Sequence, residues 1–166
     1  EYYEESYGNE PIVTEEITTE AIDDGNETAE LETETKTACY YYNSGLKYEK
    51  VNDYSAALED YGKAIELAKN NSSEMFNSLN NRGYLNAKHF KDYDAAMVDF
   101  NQIIKIENDK TTPNNKRLVA GYSNRAYVKK MKGDKDGACN DLYEALYLAD
   151  ENAISKIDKQ IGKVCY

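Results

Sequence analysis

The sequence predicts an all-α protein built from three stacked helix pairs and a final capping helix. One phrase begins at Asp53, Asp92 and Asp134, where it reads DYSAALEDYGKAIEL, DYDAAMVDFNQIIKI and DKDGACNDLYEALYL. In each copy an alanine is followed four residues later by a large apolar residue, so both lie on one helical face. No segment alternates convincingly between polar and apolar residues, as a strand would. Repeats of this size stack into helical arrays, which bind more often than they catalyse.

The acidity of the chain is concentrated at its N-terminus. The formal net charge is −11, yet residues 1–37 alone carry 13 acidic residues and one basic residue. Residues 38–166 carry 18 acidic and 19 basic residues and are therefore nearly neutral. The first segment is rich in Glu and Thr and has few large aliphatic residues, so we predict that it is disordered. The second segment is long enough for one domain with a substantial core.

The first predicted helix pair covers residues 38–71. Tyr41, Gly45 and Tyr48 recur at i, i+4 and i+7, which predicts one buried face on the first helix. Turn residues follow this helix, and the pattern predicts a second helix over residues 54–69. Polar Asn and Ser residues then end this helix and cap the next one.

The remaining elements follow the same pattern. We predict a second pair over residues 73–107, with helices at 73–88 and 93–106, and a third over residues 115–149, with helices at 115–131 and 135–149. Pro113 is expected in the first turn of the third pair, where its missing N–H costs little. A last helix is predicted over residues 152–164, with Ile154, Ile157 and Ile161 on its inward side. This helix would cap the apolar face of the last pair.

The pattern from Gly45 to Ala64, G-x7-D-Y-x2-A-x3-Y-x2-A, resembles the tetratricopeptide repeat. The resemblance implies a right-handed superhelical array of three such helix pairs. The second copy has one extra residue between Gly83 and Asp92. The alanines of successive copies are 39 and 42 residues apart, against 34 in the usual repeat. We assign the extra residues to longer helix ends and to the loop at residues 107–114.

Two copies resemble the Asn-Arg-Gly subtype of this repeat, through Asn81-Arg82-Gly83 and Asn124-Arg125-Ala126. In that subtype the arginine typically pairs with an aspartate on the partner helix. The resemblance therefore implies structural pairs between Arg82 and Asp99 and between Arg125 and Asp141. A bidentate guanidinium–carboxylate pair would fix the angle between the paired helices.

The resemblance also implies a peptide-binding groove lined by the first helix of each pair. Asparagine amides suit a peptide backbone, tyrosines offer stacking area with a polar tip, and lysines in register favour an acidic ligand. The alternative is that this surface is merely a solvated helix face. The positions carried over from the family are Tyr42, Asn43, Leu46, Lys50, Asn80, Asn81, Tyr84, Lys88, Ser123, Asn124, Tyr127 and Lys130.

One subgroup of the family grips C-terminal carboxylates with a clamp of lysine, asparagine and arginine. Here Tyr42 and Leu46 stand at clamp positions. The resemblance therefore disfavours a receptor for chaperone tails.

The cysteines leave two alternatives open. A Gly-Ala-Cys sequence at Cys139 followed by a distal Cys165 resembles the C-terminal repeat of many exported bacterial tetratricopeptide proteins. The resemblance implies a disulfide that fastens the capping helix in an oxidising compartment. The alternative is two buried, reduced thiols that pack as small apolar groups. Cys39 is expected to be a free thiol.

Several classes of function are disfavoured. The chain has one histidine and three scattered cysteines, so neither a nucleophile–base pair nor a metal site can be assembled, and no cofactor is expected. No run of about 18 apolar residues would span a membrane. Nucleic acid is an improbable partner because the repeats are nearly neutral and the N-terminal segment is acidic. We therefore expect no enzymatic activity.

The leading functional prediction is an adaptor that binds a peptide or protein segment in the groove of the repeats. One alternative is that the acidic segment at residues 1–37 regulates access to the groove. Another is an assembly protein that binds its own copies through exposed tyrosines. The chain has 16 tyrosines, many of them outside the core positions of the repeats. The chain begins with Glu, as either a processed export signal or a trimmed sequence would leave it. We expect an exported, periplasmic bacterial protein whose signal has been removed, or otherwise a cytoplasmic protein.

Overall fold

The structure is a computed structural model that describes residues 36–70 and 72–166. Except for Lys36 and Thr37, the predicted acidic and disordered segment at residues 1–37 lies outside the described residues. The described chain is a helical repeat array without strands, as predicted. Its helices are α1 (Ala38–Lys50), α2 (Tyr54–Leu67), α3 (Ser73–Leu85), α4 (Tyr93–Asn108), α5 (Asn115–Met131), α6 (Lys135–Leu148) and α7 (Glu151–Val164).

The order of the helices in space follows their order in the sequence. Each helix contacts the next one along the chain, and α1, α3 and α5 also contact one another in that order. These three are the first helices of the pairs α1–α2, α3–α4 and α5–α6. They therefore form one continuous surface, which we call the first-helix surface.

Local sequence determines where each helix begins. At every α-helix a short polar side chain accepts a hydrogen bond from the backbone N–H three residues later, which satisfies one of the unpaired donors of the first turn. Pro113 was expected in the first turn of α5, but this is wrong, because Pro113 precedes the capping residue Asn114 of that helix. The capping residues are Thr37, Asp53, Ser72, Asp92, Asn114, Asp134 and Asp150.

The turns within the three pairs share one backbone conformation. A residue with positive φ stands immediately before the aspartate cap of the second helix, namely Asn52 at 61°, Lys91 at 58° and Gly133 at 85°. Asparagine and glycine tolerate the left-handed region well, whereas a lysine there is uncommon. The same turn therefore forms in all three pairs even though its residues differ.

The extra residue of the second copy is accommodated by a π-helical turn. Residues Asn86–Phe90 continue α3 with this wider winding, so the helical stretch predicted over residues 73–88 extends to residue 90 and changes its winding at residue 86. The wider turn accommodates an additional residue before the chain reaches Lys91 and the cap at Asp92. Elsewhere the predicted helix ends differ from the observed ones by one or two residues, as is usual for fraying termini.

The two helices of a pair approach closely where a glycine meets an aromatic ring. A Cβ atom placed on Gly45 would lie 2.7 Å from Cε1 of Tyr61, and one placed on Gly83 would lie 2.9 Å from Cε1 of Phe100. In the third pair Ala126 belongs to the same buried cluster as Leu142. The rings thus occupy the space that a side chain at the glycine would need.

The last helix, α7, covers the apolar side of the third pair. Ala153, Ile157 and Ile161 are buried in a cluster with Val119 and Leu142. Ile154, which was expected to point inward, is 39% exposed. Its predicted position is therefore wrong, and Ala153 occupies the inward position instead. The structure also joins Cys139 on α6 to Cys165 at the end of α7 in a disulfide.

A buried carboxylate organises the long loop between α4 and α5. Glu107 is 1% exposed and accepts hydrogen bonds from Lys110 Nζ at 2.7 Å, the backbone N–H of Asn114 at 3.0 Å and Arg117 Nη1 at 3.2 Å. Burial alone would raise the pKa of Glu107, but these hydrogen bonds outweigh it and hold the pKa below its usual range. The loop expected from the spacing of the repeats is thus fixed by charge-assisted hydrogen bonds.

Replacing Gly83 with alanine should lower the free energy of unfolding. Alanine favours a helix by about 1 kcal/mol over glycine, but the Phe100 ring and the Asp99 Cβ atom occupy the site, and overpacking costs about 1–3 kcal/mol. Gly162→Ala is the matched control, because a Cβ atom there meets nothing within 4 Å and should stabilise α7 by about 0.5–1 kcal/mol. Urea denaturation followed by circular dichroism measures the free energy of unfolding of both variants. Equal effects of the two substitutions would contradict the close contact.

The Glu107→Gln variant should be less stable than the native chain at neutral pH. Because the native-state pKa of Glu107 is lowered, its stabilisation is present above the ordinary glutamate value near 4.5 and is lost as the pH falls through the lowered value. The difference between variant and native chain should therefore shrink in acid. Urea midpoints measured against pH test this, with Glu144→Gln on an exposed side of α6 as the control for the loss of one charge. A difference that does not depend on pH would refute the assignment.

Candidate functional site

The predicted groove residues lie on α1, α3 and α5, except Lys88, which lies in the π-helical turn that continues α3, and they differ in exposure. Asn43, Lys50 and Lys130 are exposed, whereas Ser123 and Asn124 are buried. The half-buried members are Tyr42, Leu46, Asn80, Asn81, Tyr84, Lys88 and Tyr127.

The three asparagines expected in register are not equivalent. Asn43 is exposed, and its amide nitrogen lies 3.4 Å from the sulfur of Cys39. Asn81 donates to the Tyr61 hydroxyl at 3.2 Å. Asn124 is 6% exposed and donates to Oδ1 of Asn80 at 3.0 Å, so its amide links α5 to α3. The expectation that all three amides are presented to a ligand is corrected for Asn124, because packing between first helices buries it.

The three lysines expected at the rim are also not equivalent. Lys50 and Lys130 are exposed at the ends of α1 and α5. Lys88 is half-buried and donates to the Tyr84 hydroxyl, with its ammonium nitrogen 4.8 Å from the centre of the Tyr84 ring. Two lysines thus extend into solvent, whereas the third is held against an aromatic ring.

The structure adds Glu49, which the sequence reasoning did not single out. Glu49 is half-buried on α1 and accepts a hydrogen bond from the hydroxyl of Tyr61, a fully buried side chain of α2. Glu49 follows Tyr42 by seven residues and Leu46 by three, so helical periodicity already placed it on the same face. That spacing is the signal in the sequence that identifies Glu49, beside the predicted rim residue Lys50.

Burial and mutual interaction shift the pKa values of Glu49 and of two tyrosines near it. Burial raises the pKa of the Glu49 carboxyl, and the hydrogen bond from Tyr61 and the charge of Lys88 only partly oppose this. The pKa values of Tyr61 and Tyr42 are also raised, first by burial and then by the neighbouring Glu49.

The structure brings together both arginine–aspartate pairs that the resemblance implied. Arg82 donates from Nε at 3.1 Å and from Nη2 at 2.7 Å to the two carboxylate oxygens of Asp99. Arg125 makes the same bidentate contact with Asp141, at 2.8 Å and 2.7 Å. Both aspartates are almost completely buried. Burial raises the pKa of Asp99 even though Arg82 opposes the shift, so loss of the arginine would leave a carboxylate without compensation.

Arg125 also links neighbouring pairs of helices. Its Nη1 donates to Oδ1 of Asn101 on α4 at 2.7 Å, while the rest of the guanidinium holds Asp141 on α6. The equivalent position beside Arg82 is Gly62, which has no side chain to accept such a bond. The hydrogen bond from Arg125 to Asn101 therefore has no counterpart at Arg82.

Other reactive side chains do not extend the site. Cys39 is a half-buried free thiol, and the His89 ring is exposed and stacks on Tyr54 with the ring centres 3.7 Å apart. Burial lowers the pKa of His89, and the charges of Lys88 and Lys91 lower it further. Within residues 36–70 and 72–166, no group of three or more His, Cys, Asp or Glu side chains is placed to hold a metal ion. None of the helices described above is long and apolar enough to cross a membrane.

Comparison with known proteins agrees with this geometry. Residues 40–71 match the family model of the tetratricopeptide repeat. None of the curated proteins matches the sequence significantly. Among solved structures, the chain is similar to the first TPR of Spaghetti (RPAP3), whose structure was solved bound to the HSP90 peptide SRMEEVD.

The similarity to Spaghetti is one of fold. The TM-score is 0.57 at 19% sequence identity, and the match covers 80% of this chain and 98% of the other. Residues 40–71 thus carry a tetratricopeptide repeat, in a domain with the fold of a tetratricopeptide-repeat array.

Proposed function

We propose that this chain is an adaptor that holds an extended peptide or protein segment against the first-helix surface, without catalysis. The observation that carries the proposal is the continuity of α1, α3 and α5. Neighbouring helices of this set contact each other, and each of the three has polar and aromatic side chains. Asn43 offers a donor and an acceptor to a peptide backbone, and the half-buried Tyr84 and Tyr127 offer stacking area.

An acidic segment suits the rim of this surface. Lys50 and Lys130 are exposed at the ends of their helices, where ammonium groups attract acidic side chains in a salt-dependent way. The peptide bound to the first TPR of Spaghetti, SRMEEVD, contains three acidic residues among seven, which supports this chemistry. Tyr42 and Leu46 argue against the carboxylate clamp that one subgroup of the family uses for chaperone tails.

The finer relationships to the family rest on two observations. The bidentate contacts of Arg82 and Arg125 support the Asn-Arg-Gly subtype. The disulfide between Cys139 and Cys165 supports residence in an oxidising compartment, and hence export, because such bonds rarely persist in a reducing cytosol.

Peptides selected on the full-length chain from a random library should bind through the first-helix surface. The double variant Asn43→Ala/Tyr127→Ala removes one polar contact on α1 and one aromatic contact on α5 and should weaken binding about tenfold or more. Fluorescence anisotropy of a labelled selected peptide measures the affinity.

The matched control removes two exposed side chains from second helices. Val98→Ala/Glu144→Ala alters α4 and α6 and should leave the affinity unchanged. Equal losses in both double variants, or a loss only in the control, would move the binding site away from the first-helix surface.

A second candidate function is assembly of copies of the chain, and an exposed group of tyrosines favours it. Tyr147 and Tyr166 are 87% and 90% exposed, and the hydroxyls of Tyr143 and Tyr166 are 3.3 Å apart. Exposed tyrosines are enriched at protein interfaces. If this surface mediates assembly, the sedimentation coefficient of the native chain will rise with protein concentration. The Tyr143→Ser/Tyr147→Ser variant will remain monomeric in the same sedimentation-velocity experiment. A native chain that remains monomeric at every concentration would exclude this function.

A further inference from the structure

The carboxylate of Glu49 is incompletely compensated on the first-helix surface. Among the described residues, the hydrogen-bond partner of Glu49 is the uncharged hydroxyl of Tyr61, and the charge of Lys88, whose ammonium donates to Tyr84, opposes only part of the effect of burial. A half-buried carboxylate has lost part of its hydration, and a neutral donor restores only part of that stabilisation. A cationic group from a ligand would supply the rest.

The side chains around Glu49 suit a cation on a long apolar stem. Tyr42 and Tyr84 both pack against the buried cluster that contains Tyr61, one from each of two successive pairs. The Tyr42 and Tyr61 ring centres are 6.0 Å apart. Aromatic faces attract ammonium and guanidinium groups and also cover the methylene groups that carry them.

We propose that Glu49 receives the side chain of a lysine or arginine in the bound segment, with its stem against Tyr42 and Tyr84. This inference rests on the proposed function and adds one specificity position to it. An acidic side chain at this point would meet a carboxylate of like charge, whereas a basic one forms a charge-assisted hydrogen bond. The ligand is therefore an acidic segment with one basic anchor, the acidic residues facing Lys50 and Lys130.

Glu49 acts here through its charge, so an isosteric substitution tests it. Glu49→Gln keeps an oxygen acceptor for the Tyr61 hydroxyl and removes the negative charge. Glu59→Gln is the matched control, because Glu59 is an exposed glutamate of the same repeat that pairs with Lys63 at 2.6 Å. Circular dichroism establishes that each variant retains its helices.

The experiment measures binding of the full-length chain and its variants to positional-scanning libraries of capped octapeptides. In each library one position is fixed as Lys, Arg, Leu or Glu and the others are mixed. The native chain and Glu59→Gln should prefer Lys or Arg over Leu at one position by about tenfold, the value of one hydrogen bond to a charged group. Glu49→Gln should lose that preference, and Glu49→Lys should prefer Glu at the same position.

The outcomes separate this inference from the proposed function. Binding without a basic preference, or a preference that Glu49→Gln retains, overturns the role of Glu49 and leaves the adaptor function standing. Failure of every library to bind the native chain overturns both. If Glu49→Gln does not fold, the Glu49→Lys variant decides, because an unchanged preference for basic residues would refute the proposal.

Discussion

The close approach of the two helices in each pair is the constraint on which the rest of the structure depends. At Gly45 and Gly83 the facing aromatic ring occupies the volume of a missing side chain. This contact sets the separation of the helix axes, since even one added methyl group would displace Tyr61 or Phe100. The buried arginine–aspartate pairs then fix orientation in the second and third pairs, because a bidentate contact has a defined plane.

Tyr61 connects this core contact to the candidate site. Its ring packs against Gly45, while its hydroxyl reaches Glu49 on the preceding helix and Asn81 on the following one. In the second pair the equivalent residue is Phe100, which has no hydroxyl. The hydrogen bonds that the Tyr61 hydroxyl makes to Glu49 and Asn81 therefore have no counterpart at Phe100. The helix pairs thus repeat in backbone but not in side-chain hydrogen bonds, and the two ends of the first-helix surface differ in chemistry.

The opposite end of the array is closed by different means. The last pair has no successor, so its apolar side would face water without α7, and the buried Ile157 and Ile161 cover it. The disulfide from Cys139 to Cys165 then fastens the end of that cap to α6. The Glu107 network plays a comparable part in the middle of the chain, where it holds the loop of residues 109–114 against the start of α5.

Local patterns in the sequence determined most of the fold. Alanine and large apolar residues four apart defined the second helices, and short polar side chains at residues such as Asp53 and Asp92 defined where they begin, because both effects act within one helical turn. The π-helical turn at residues 86–90 was foreseen only as an extra residue, since its conformation depends on how α3 must meet the next turn. Ile154 was misplaced for a similar reason, because periodicity gives the width of an apolar face and not its centre.

The candidate site was predictable as a surface and not as a set of interactions. The sequence by itself determined that Tyr42, Asn81 and Asn124 lie on first helices. Only the tertiary structure decided that Asn124 is buried against Asn80, that Lys88 is held by Tyr84 and that Glu49 is bound by Tyr61. Helical periodicity assigns a side chain to a face, whereas its exposure, partners and pKa depend on neighbouring helices that are distant in the sequence.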